Sequence, residues 1–252
     1  MLKVINLQKD FKNNRNTFKI LKDINLDVKE GEFLSIMGPS GAGKTTLLNI
    51  LSTIDKPTSG KVYYENKDIN KISNKELSKF RRDNIGFIFQ DYNLLDSMSV
   101  EDNIALPLVI ANEKQSKIKS EIIKLSKFFG IEAHLKKYPY ELSGGQKQRV
   151  ATARALITSP KIIFADEPTG ALDSKSSKML LNSIEKLNKE LHATILMVTH
   201  DAFTASYAHR ILFIKDGKIF NELIRGNDSR KEFFNKIIEV VTLLVGDTSN
   251  VI

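Results

Sequence analysis

The stretch that decides the fold is residues 38–45, Gly-Pro-Ser-Gly-Ala-Gly-Lys-Thr. It matches the pattern G-x-x-x-x-G-K-[ST] and stands between the apolar run Phe33–Met37 and a stretch of helical character at residues 45–54. Glycines let the backbone curl so that its N–H groups point inward at phosphate oxygens, and the following helix presents its positive N-terminal end to the same anion. The pattern therefore predicts a phosphate-binding loop, with Lys44 as a point charge for the phosphates and Thr45 as a Mg²⁺ ligand.

A second signal follows the apolar run at residues 162–165. This run predicts a buried strand that delivers Asp166 to its carboxyl end, where ligands gather in α/β sheets. A phosphate-binding loop of this type needs such a carboxylate to organise Mg²⁺. Glu167 comes next along the chain, and we expect it to polarise an attacking water as a general base. Without the loop at residues 38–45, an ordinary strand ending in two surface acids would be the better interpretation.

The most specific string is residues 142–146, Leu-Ser-Gly-Gly-Gln. Ser143 and Gln146 have the spacing of a capping box, which predicts that a helix begins at Ser143. Two consecutive glycines at a helix start cost stability, so we expect them where something approaches the backbone closely. An anion is the natural guest at a helix N-terminus. Because the chain already has one phosphate-binding loop, a second such feature suggests use across a dimer.

The pattern of the whole chain predicts an α/β fold. Strand-like apolar runs, among them Phe33–Met37 and Thr194–Val198, alternate with helical stretches. This alternation indicates a P-loop core with a mostly parallel sheet covered by helices. Two β-like stretches precede the loop and predict an N-terminal antiparallel β region, with Asn13, Asn14 and Asn16 in its hairpin loop. Apolar residues at helical spacing predict a helical subdomain at about residues 91–158, inserted in the core.

The end of the chain predicts a helical tail. We divide the sequence into a domain at residues 1–227 and a C-terminal helical tail at residues 228–252. One face of the tail helix is predicted to carry the apolar residues Phe234, Ile237, Ile238, Val241, Leu244 and Val245. Packing of this helix on the domain is the simpler interpretation, and a partner-binding role is the alternative.

Composition bounds the class of protein. The 252 residues are 41% hydrophobic and 27% charged, which is ordinary globular composition. No apolar run approaches the roughly 20 residues of a membrane-spanning helix, and we see no secretory signal. The absence of cysteine excludes disulfides and thiolate metal sites. The net charge of +8 is spread along the chain, so charge alone does not choose between solubility and an anionic partner.

Together, these motifs resemble the ATP-binding cassettes of ABC transporters. Residues 38–45 resemble the Walker A motif, residues 162–167 resemble Walker B with its catalytic carboxylate, and residues 142–146 resemble the signature motif. Residues 170–173, Gly-Ala-Leu-Asp, are similar to the D-loop. The resemblance extends from residue 1 to about residue 223, with every motif in family order.

Three further residues enter through this resemblance. Gln90 ends an apolar run and resembles the Q-loop glutamine, which touches Mg²⁺ in the family and begins the segment coupled to a membrane partner. His200 follows an apolar strand and resembles the switch histidine, which contacts the γ-phosphate. Phe11 resembles the aromatic residue that stacks on adenine, although a tyrosine is often found there. Phe18 is the alternative, and either ring could instead belong to the core.

The resemblance implies ATP and Mg²⁺ as cofactors and assigns roles to residues. Glu167 and His200 are implied to be catalytic. Contact with ATP within the chain is implied for Phe11, Gly38, Ser40, Gly41, Ala42, Gly43, Lys44, Thr45, Thr46, Gln90 and Asp166. Mg²⁺ ligands are implied to be Thr45, Gln90 and Asp166. Contact with the ATP of a second chain is implied for Ser143, Gly144, Gly145, Gln146 and Asp173.

The family also implies a mechanism and partners. Two copies close head to tail, with each ATP between the Walker A loop of one chain and the signature motif of the other. Hydrolysis removes the γ-phosphate and releases the closure. The implied partner is an integral membrane permease, so the resemblance places the chain in the cytoplasm, on the inner face of the cell membrane. No nucleic acid partner is expected.

Two other function classes fit the sequence less well. A different P-loop enzyme, such as a small-molecule kinase, leaves residues 142–146 unexplained. A soluble ABC ATPase acting on ribosomes or DNA usually has two cassettes in one chain or long coiled-coil insertions, and this sequence has neither.

Shorter segments of the sequence indicate which type of ABC transporter the chain resembles. Residues 38–40, 80–82 and 85–90 resemble cassettes that serve macrolide-export, lipoprotein-release and cell-division permeases. Residues 199–207 and 213–218, with the tail at 229–234, are more similar to the branch for resistance to bacitracin and other peptide antibiotics. In that branch two cassettes serve one large permease, often beside a membrane sensor kinase.

Overall fold

The computed structural model describes residues 1–13 and 16–246. Its strands are β1 (Leu2–Asn13), β2 (Asn16–Val28), β3 (Phe33–Met37), β4 (Ser59–Tyr64), β5 (Lys67–Asp68), β6 (Ile85–Ile88), β7 (Ile162–Asp166), β8 (Thr194–Val198), β9 (Arg210–Lys215) and β10 (Lys218–Ile224). Its helices are α1 (Lys44–Leu51), α2 (Asn74–Asn84), α3 (Val100–Ile110), α4 (Gln115–Phe129), α5 (Gly144–Leu156), α6 (Ser174–Leu191), α7 (Ala202–Ala205) and α8 (Arg230–Gly246).

The chain divides into two compact units. The first comprises Met1–Leu77 together with the chain from Thr194 onward, and the second is Ser78–Ala193. Asn14 of the predicted hairpin loop and residues 247–252 of the predicted tail lie outside the described residues. Within the described residues, no helix has the length and apolar character needed to cross a membrane.

One sheet of the first unit is antiparallel, with strand order β2-β1-β4-β5. Alternate residues of β1, such as Leu2 and Val4, are buried, while Lys3 between them is exposed. This alternation is typical of a strand with one face on the core and one face in water. The predicted N-terminal antiparallel region is confirmed. Asn13 and Asn16, predicted to lie in the hairpin loop, are instead paired strand residues at the end of β1 and the start of β2.

A parallel arrangement carries the phosphate-binding loop in the same unit. β3 pairs in parallel with both β8 and β9, and β10 adds an antiparallel strand beside β9. All five residues of β3 are buried, as the short apolar run predicts for a central strand. The predicted bounds of β3 and β8 agree with the structure. β10 was missed because its residues are mostly exposed and show no regular apolar alternation.

The second unit is built around α5. β6 and β7 pair in parallel, with Ile85 opposite Ile162. α5 packs against α3, α4, α6 and β6, and its buried positions include Val150 and Ala153. Residues 91–158 carry three helices, α3 to α5. Parallel strands joined through helices in both units confirm the predicted α/β class, whereas the predicted domain boundary at residue 227 stays a prediction.

The terminal helix α8 packs on α7 in the first unit. The prediction of which residues form the buried face of α8 was wrong for several positions. The structure buries Phe233, Ile237, Val240 and Leu244. Ile238, predicted to lie on that face, is 41% exposed, and Phe234 and Val241 are half-buried. Phe233 could replace Phe234 without changing the 3.6-residue period, so sequence alone did not fix the rotation of the helix. The side chain of Val245 lies outside the described residues.

Candidate functional site

The loop at residues 38–45 joins β3 to α1, and steric crowding explains its glycines. Gly38 has a φ of +156°, and a Cβ added there would lie 2.1 Å from the carbonyl oxygen of Ile214 in β9. Gly43 has a φ of +99°, and its Cβ would lie 2.8 Å from the Leu21 side chain in β2. At Gly41 the φ is +78° and the space is open. The turn therefore needs glycine at Gly38 and Gly43 for room as well as for backbone conformation.

α1 begins directly at the loop. Its N-cap residue is Gly43, which has no side chain that could cap the helix. The first N–H groups of a helix have no partner within the helix, so a glycine cap leaves them available to an anion. An oxyanion held in the loop would thus complete the start of this helix.

Lys44 folds back over the loop. Its ammonium donates to the carbonyl oxygens of Gly38 (2.9 Å) and Pro39 (3.0 Å), and the residue is 9% exposed. The positive charge of Lys44 therefore lies against the backbone of the loop. The other predicted loop contacts differ in exposure: Ser40, Gly41 and Thr45 are exposed, Thr46 is half-buried, and Ala42 and Gly43 are buried.

His200 lies near the loop within the first unit. It follows Thr199, whose N–H donates to the carbonyl of Ile36 at 3.1 Å. Because β3 and β8 are parallel, their carboxyl ends meet at one edge, so His200 and residue 38 leave the sheet at the same edge. Asp201 then caps α7 by accepting from Thr204 N at 2.8 Å. The exposed His200 is therefore held between two anchored neighbours.

Phe11 and Phe18 are directly opposite each other on β1 and β2. Both are exposed, at 48% and 53%. Residues directly opposite in an antiparallel pair lie on the same face of the sheet. Lys9 places its ammonium 4.9 Å from the centre of the Phe11 ring, a cation–π distance. The suggestion that either ring belongs to the core is wrong, because large exposed rings contribute little to a core.

The two carboxylates of the second unit lie at the end of β7. Asp166 is the last strand residue, and Glu167 follows with a φ of +44°. A positive φ at a residue with a side chain costs free energy and is common where a site fixes the direction of a side chain. Gly170 N donates to Glu167 O at 3.0 Å and closes the turn. No pattern in the sequence indicated this left-handed conformation.

Gln90 lies beside the start of the predicted D-loop. A Cβ added to Gly170 would be 3.3 Å from Gln90 Nε2, so the amide packs against that glycine. The structure thus brings together Gln90 and residues 167–170 within the second unit.

The signature segment has the predicted capping box. Ser143 Oγ accepts from Gln146 N at 3.4 Å, and Gln146 Oε1 accepts from Ser143 N at 2.8 Å, so α5 begins as expected. The sequence predicted that another group approaches the backbone at the two glycines, and side chains of the same chain make this approach. A Cβ at Gly145 would lie 2.5 Å from Ser176 Oγ, and one at Gly144 would lie 2.9 Å from the hydroxyl of Tyr92. Internal packing therefore accounts for both glycines without an anion.

Asp173 caps α6, which begins next to the signature segment. It accepts from Lys175 N (3.0 Å), Ser176 N (2.9 Å) and Ser176 Oγ (2.7 Å). The hydrogen bonds from Ser176 lower the pKa of the Asp173 carboxyl, so the group is charged at neutral pH. Ser176 therefore contacts both Gly145 and Asp173, two predicted members of the trans site.

α5 also holds the segment after β6, through residues that the sequence analysis missed. Gln148 Nε2 donates to Phe89 O at 3.1 Å, and Arg154 donates to Asn93 O (2.6 Å) and Tyr92 O (2.8 Å). Burial lowers the pKa of the Arg154 guanidinium, which still remains charged. Gln148 and Arg154 are two of several long polar residues in α5, so no sequence pattern distinguished them.

The predicted donors fit Mg²⁺ by their chemistry. Thr45 offers a hydroxyl, Gln90 an amide oxygen and Asp166 a carboxylate. Hard oxygen ligands of this kind, few in number and supplemented by phosphate and water, are what Mg²⁺ prefers.

Comparisons with known proteins show which family the chain resembles. A family model described as ABC transporter matches residues 21–170. The bacitracin export ATP-binding protein BceA of Halalkalibacterium halodurans is 48% identical over 98% of this chain and 97% of that protein. The ABC transporter ATP-binding protein YxdL of Bacillus subtilis is 45% identical over 99% of this chain and 96% of that protein.

A solved structure is similar over most of the chain. It is the dimeric post-hydrolysis state of the ATP-binding cassette MJ0796, bound to ADP and Pi. The TM-score is 0.83 at 42% sequence identity, and the match covers 89% of this chain and 98% of that chain.

Proposed function

This chain belongs to the ABC transporter family as an ATP-binding and ATP-hydrolysing subunit, and we propose that it drives an integral membrane permease through an ATP-dependent dimer. The similarity to a dimeric cassette bound to ADP and Pi carries the proposal. Its location is then peripheral, on the cytoplasmic face of the cell membrane. A soluble role on nucleic acid finds no support in the relatives or in the spread of charge.

Binding of ATP is assigned first to the loop at residues 38–45. Lys44 exchanges its loop carbonyl partners for phosphate oxygens, and N–H groups at the start of α1 donate to the same anion. Phe11 stacks on adenine from the same unit, with Phe18 as its neighbour on one face. Thr45, Gln90 and Asp166 would hold Mg²⁺, which when bound neutralises charge on the phosphates.

Hydrolysis is assigned to Glu167 and His200. Glu167 takes a proton from the attacking water, and its positive φ fixes the direction in which the carboxylate leaves β7. His200 contacts the γ-phosphate from the carboxyl edge of β8, where Thr199 and Asp201 anchor it.

A second copy of the chain supplies the remaining contacts to each ATP. Ser143, Gly144, Gly145, Gln146 and Asp173 are assigned to the ATP bound by the other chain. ATP then binds the closed pair better than the open one, which is the condition for a ligand to drive closure.

The test is oligomeric state in the variant Glu167→Gln, measured by size-exclusion chromatography with light scattering. We expect a monomer without nucleotide and a dimer with ATP, because loss of the general base slows turnover by about 10²–10⁴-fold and traps the closed pair. Glu190→Gln, at an exposed position on α6, is the matched control and should turn over ATP as the wild type does. A Glu167→Gln protein that hydrolyses ATP at the wild-type rate would remove Glu167 from its role.

The transported class is proposed to be peptide antibiotics of the bacitracin type. The support is the 48% identity over nearly the full length of both chains to a bacitracin export subunit. The permease of that system, and a membrane sensor kinase acting through it, are the proposed partners. Deletion of the coding sequence should raise sensitivity to bacitracin, and reintroduction of the wild type, but not Glu167→Gln, should restore resistance. Unchanged sensitivity would contradict this substrate class.

A further inference from the structure

The side chain of Gln146 makes two polar contacts. Its Oε1 accepts from Ser143 N at 2.8 Å, and its Nε2 lies 3.0 Å from His134 Nε2. Because Oε1 is used as an acceptor, Nε2 is the amide NH₂ and can only donate. His134 Nε2 must therefore accept, which requires a neutral imidazole with its proton on Nδ1.

His134 has little else to fix its ring by hydrogen bonding. It ends the 3₁₀ turn Glu132–His134 between α4 and the signature segment, and it is half-buried. In the part of the chain that the structure describes, its Nδ1 is buried and has no hydrogen-bond partner. The contact with Gln146 is thus the polar interaction that sets the orientation of this ring relative to α5.

The charges around the ring oppose its protonation. Burial lowers the pKa of His134 first, and Lys137 and Arg149 lower it further. Glu101 at the start of α3, which donates its N–H to Leu135 O, is ion-paired with Lys136. Three further charged groups lie on these elements: Glu132 in the same turn, Lys127 at the end of α4 and Lys147 on α5. The other charged residues of α3, α4 and α5 are Asp102, Lys117, Lys119, Glu121, Lys124 and Arg154, and Glu141 lies in the turn before α5.

We propose that His134 is a positioning residue of the signature segment: its neutral ring holds Gln146, Gln146 holds the backbone of Ser143, and uptake of a proton by His134 releases this chain of contacts and weakens ATP-dependent pairing. The imidazolium would present an N–H to the amide NH₂, so two donors would face each other. The proposal rests on the proposed function, since pairing through residues 142–146 is part of it.

The direction of the pH effect follows from the lowered pKa. At pH 7.5 the ring is neutral and the contact is complete. As pH falls below the ordinary value of 6.5, the unfolded or released state takes up a proton before the native contact does. The stabilisation is therefore present above pH 6.5 and is lost as pH falls through the lowered pKa.

The first test is NMR of the nucleotide-free wild-type chain between pH 7.5 and 5.5. The side-chain NH₂ signals of Gln146 should shift with the titration of the His134 ring. In His134→Gln these signals should stay constant with pH, because an amide oxygen can accept the same hydrogen bond and does not titrate. Gln146 signals that ignore the titration of His134 overturn the proposal, whatever the dimer does.

The second test measures the dimer dissociation constant with ATP in the Glu167→Gln background. A net hydrogen bond is worth about 0.5–1.5 kcal/mol, or about two- to tenfold. A symmetric dimer contains two such contacts, so we expect about fivefold or more weakening from pH 7.5 to 5.5. Adding His134→Gln should flatten this response, while His134→Ala should weaken pairing already at pH 7.5.

The controls separate this effect from other titrations. The phosphates of ATP also titrate in this range, but they do so equally in every variant. His192→Gln makes the same exchange at an exposed histidine at the end of α6, and it should keep the parental pH response. An equal pH response in His134→Gln and its parent overturns the proposal. If Glu167→Gln does not pair at any pH, the proposed dimer and the pairing step of this inference both fail, while the NMR result still decides the His134–Gln146 contact.

Discussion

Replacing Gly38 by alanine should destabilise the chain far more than the same change at Gly41. Both residues have positive φ in one loop, +156° and +78°, so both substitutions strain the backbone. Only Gly38 lacks room, because the new Cβ would lie 2.1 Å from the carbonyl oxygen of Ile214. That atom belongs to the backbone of β9 and cannot turn aside as the end of a flexible side chain could.

The magnitudes separate the two variants. The positive φ costs about 1–2 kcal/mol for a residue with a Cβ. Alanine also restricts the unfolded chain more than glycine does, and this offsets about 0.4–1 kcal/mol of that cost. Gly41→Ala should therefore lose about 1 kcal/mol or less. Crowding against rigid neighbours adds about 1–3 kcal/mol, so Gly38→Ala should lose about 2–4 kcal/mol. For a chain of this size that corresponds to a fall in Tm of about 10 °C.

The assay is thermal and urea unfolding without nucleotide, followed by circular dichroism. The absence of ATP matters, because it removes any effect of the new methyl group on phosphate binding. Equal losses of stability in Gly38→Ala and Gly41→Ala would refute the argument that close approach to β9, and not backbone conformation alone, requires glycine at residue 38.

Three further variants test the assigned roles. Lys44→Ala should weaken ATP binding by about 10–100-fold, because a charge-assisted hydrogen bond contributes about 1.5–3 kcal/mol; unchanged affinity by calorimetry would count against the phosphate assignment. Phe11→Ala should weaken ATP binding by at least about fivefold, as expected for loss of base stacking, and Phe18→Ala should weaken it less; the reverse order would make Phe18 the stacking residue. Ser143→Arg in the Glu167→Gln background should bind ATP yet remain monomeric in light scattering, and normal ATP-driven pairing would contradict the cross-dimer role.

Local patterns predicted the elements that hold the motifs. Phe33–Met37 and Thr194–Val198 are continuous apolar runs, and each is a strand with the predicted bounds because a central parallel strand is buried on both faces. The capping box at Ser143 and Gln146 was predictable because its partners are three residues apart. Exposed elements such as β10 were missed, because only a buried face requires apolar residues at regular spacing.

The sequence by itself therefore determined the class of fold, the position of the glycine-rich loop between β3 and α1, and the family. It also pointed to Asp166 and Glu167 as acids at a strand end. Only the tertiary structure decided the backbone conformation and the long-range contacts of particular residues. It gave Glu167 its left-handed conformation, surrounded the signature glycines with Tyr92 and Ser176, and placed His134 against Gln146. The physical reason is that these contacts join side chains from separate elements, and no periodic or short-range pattern records which of them will meet.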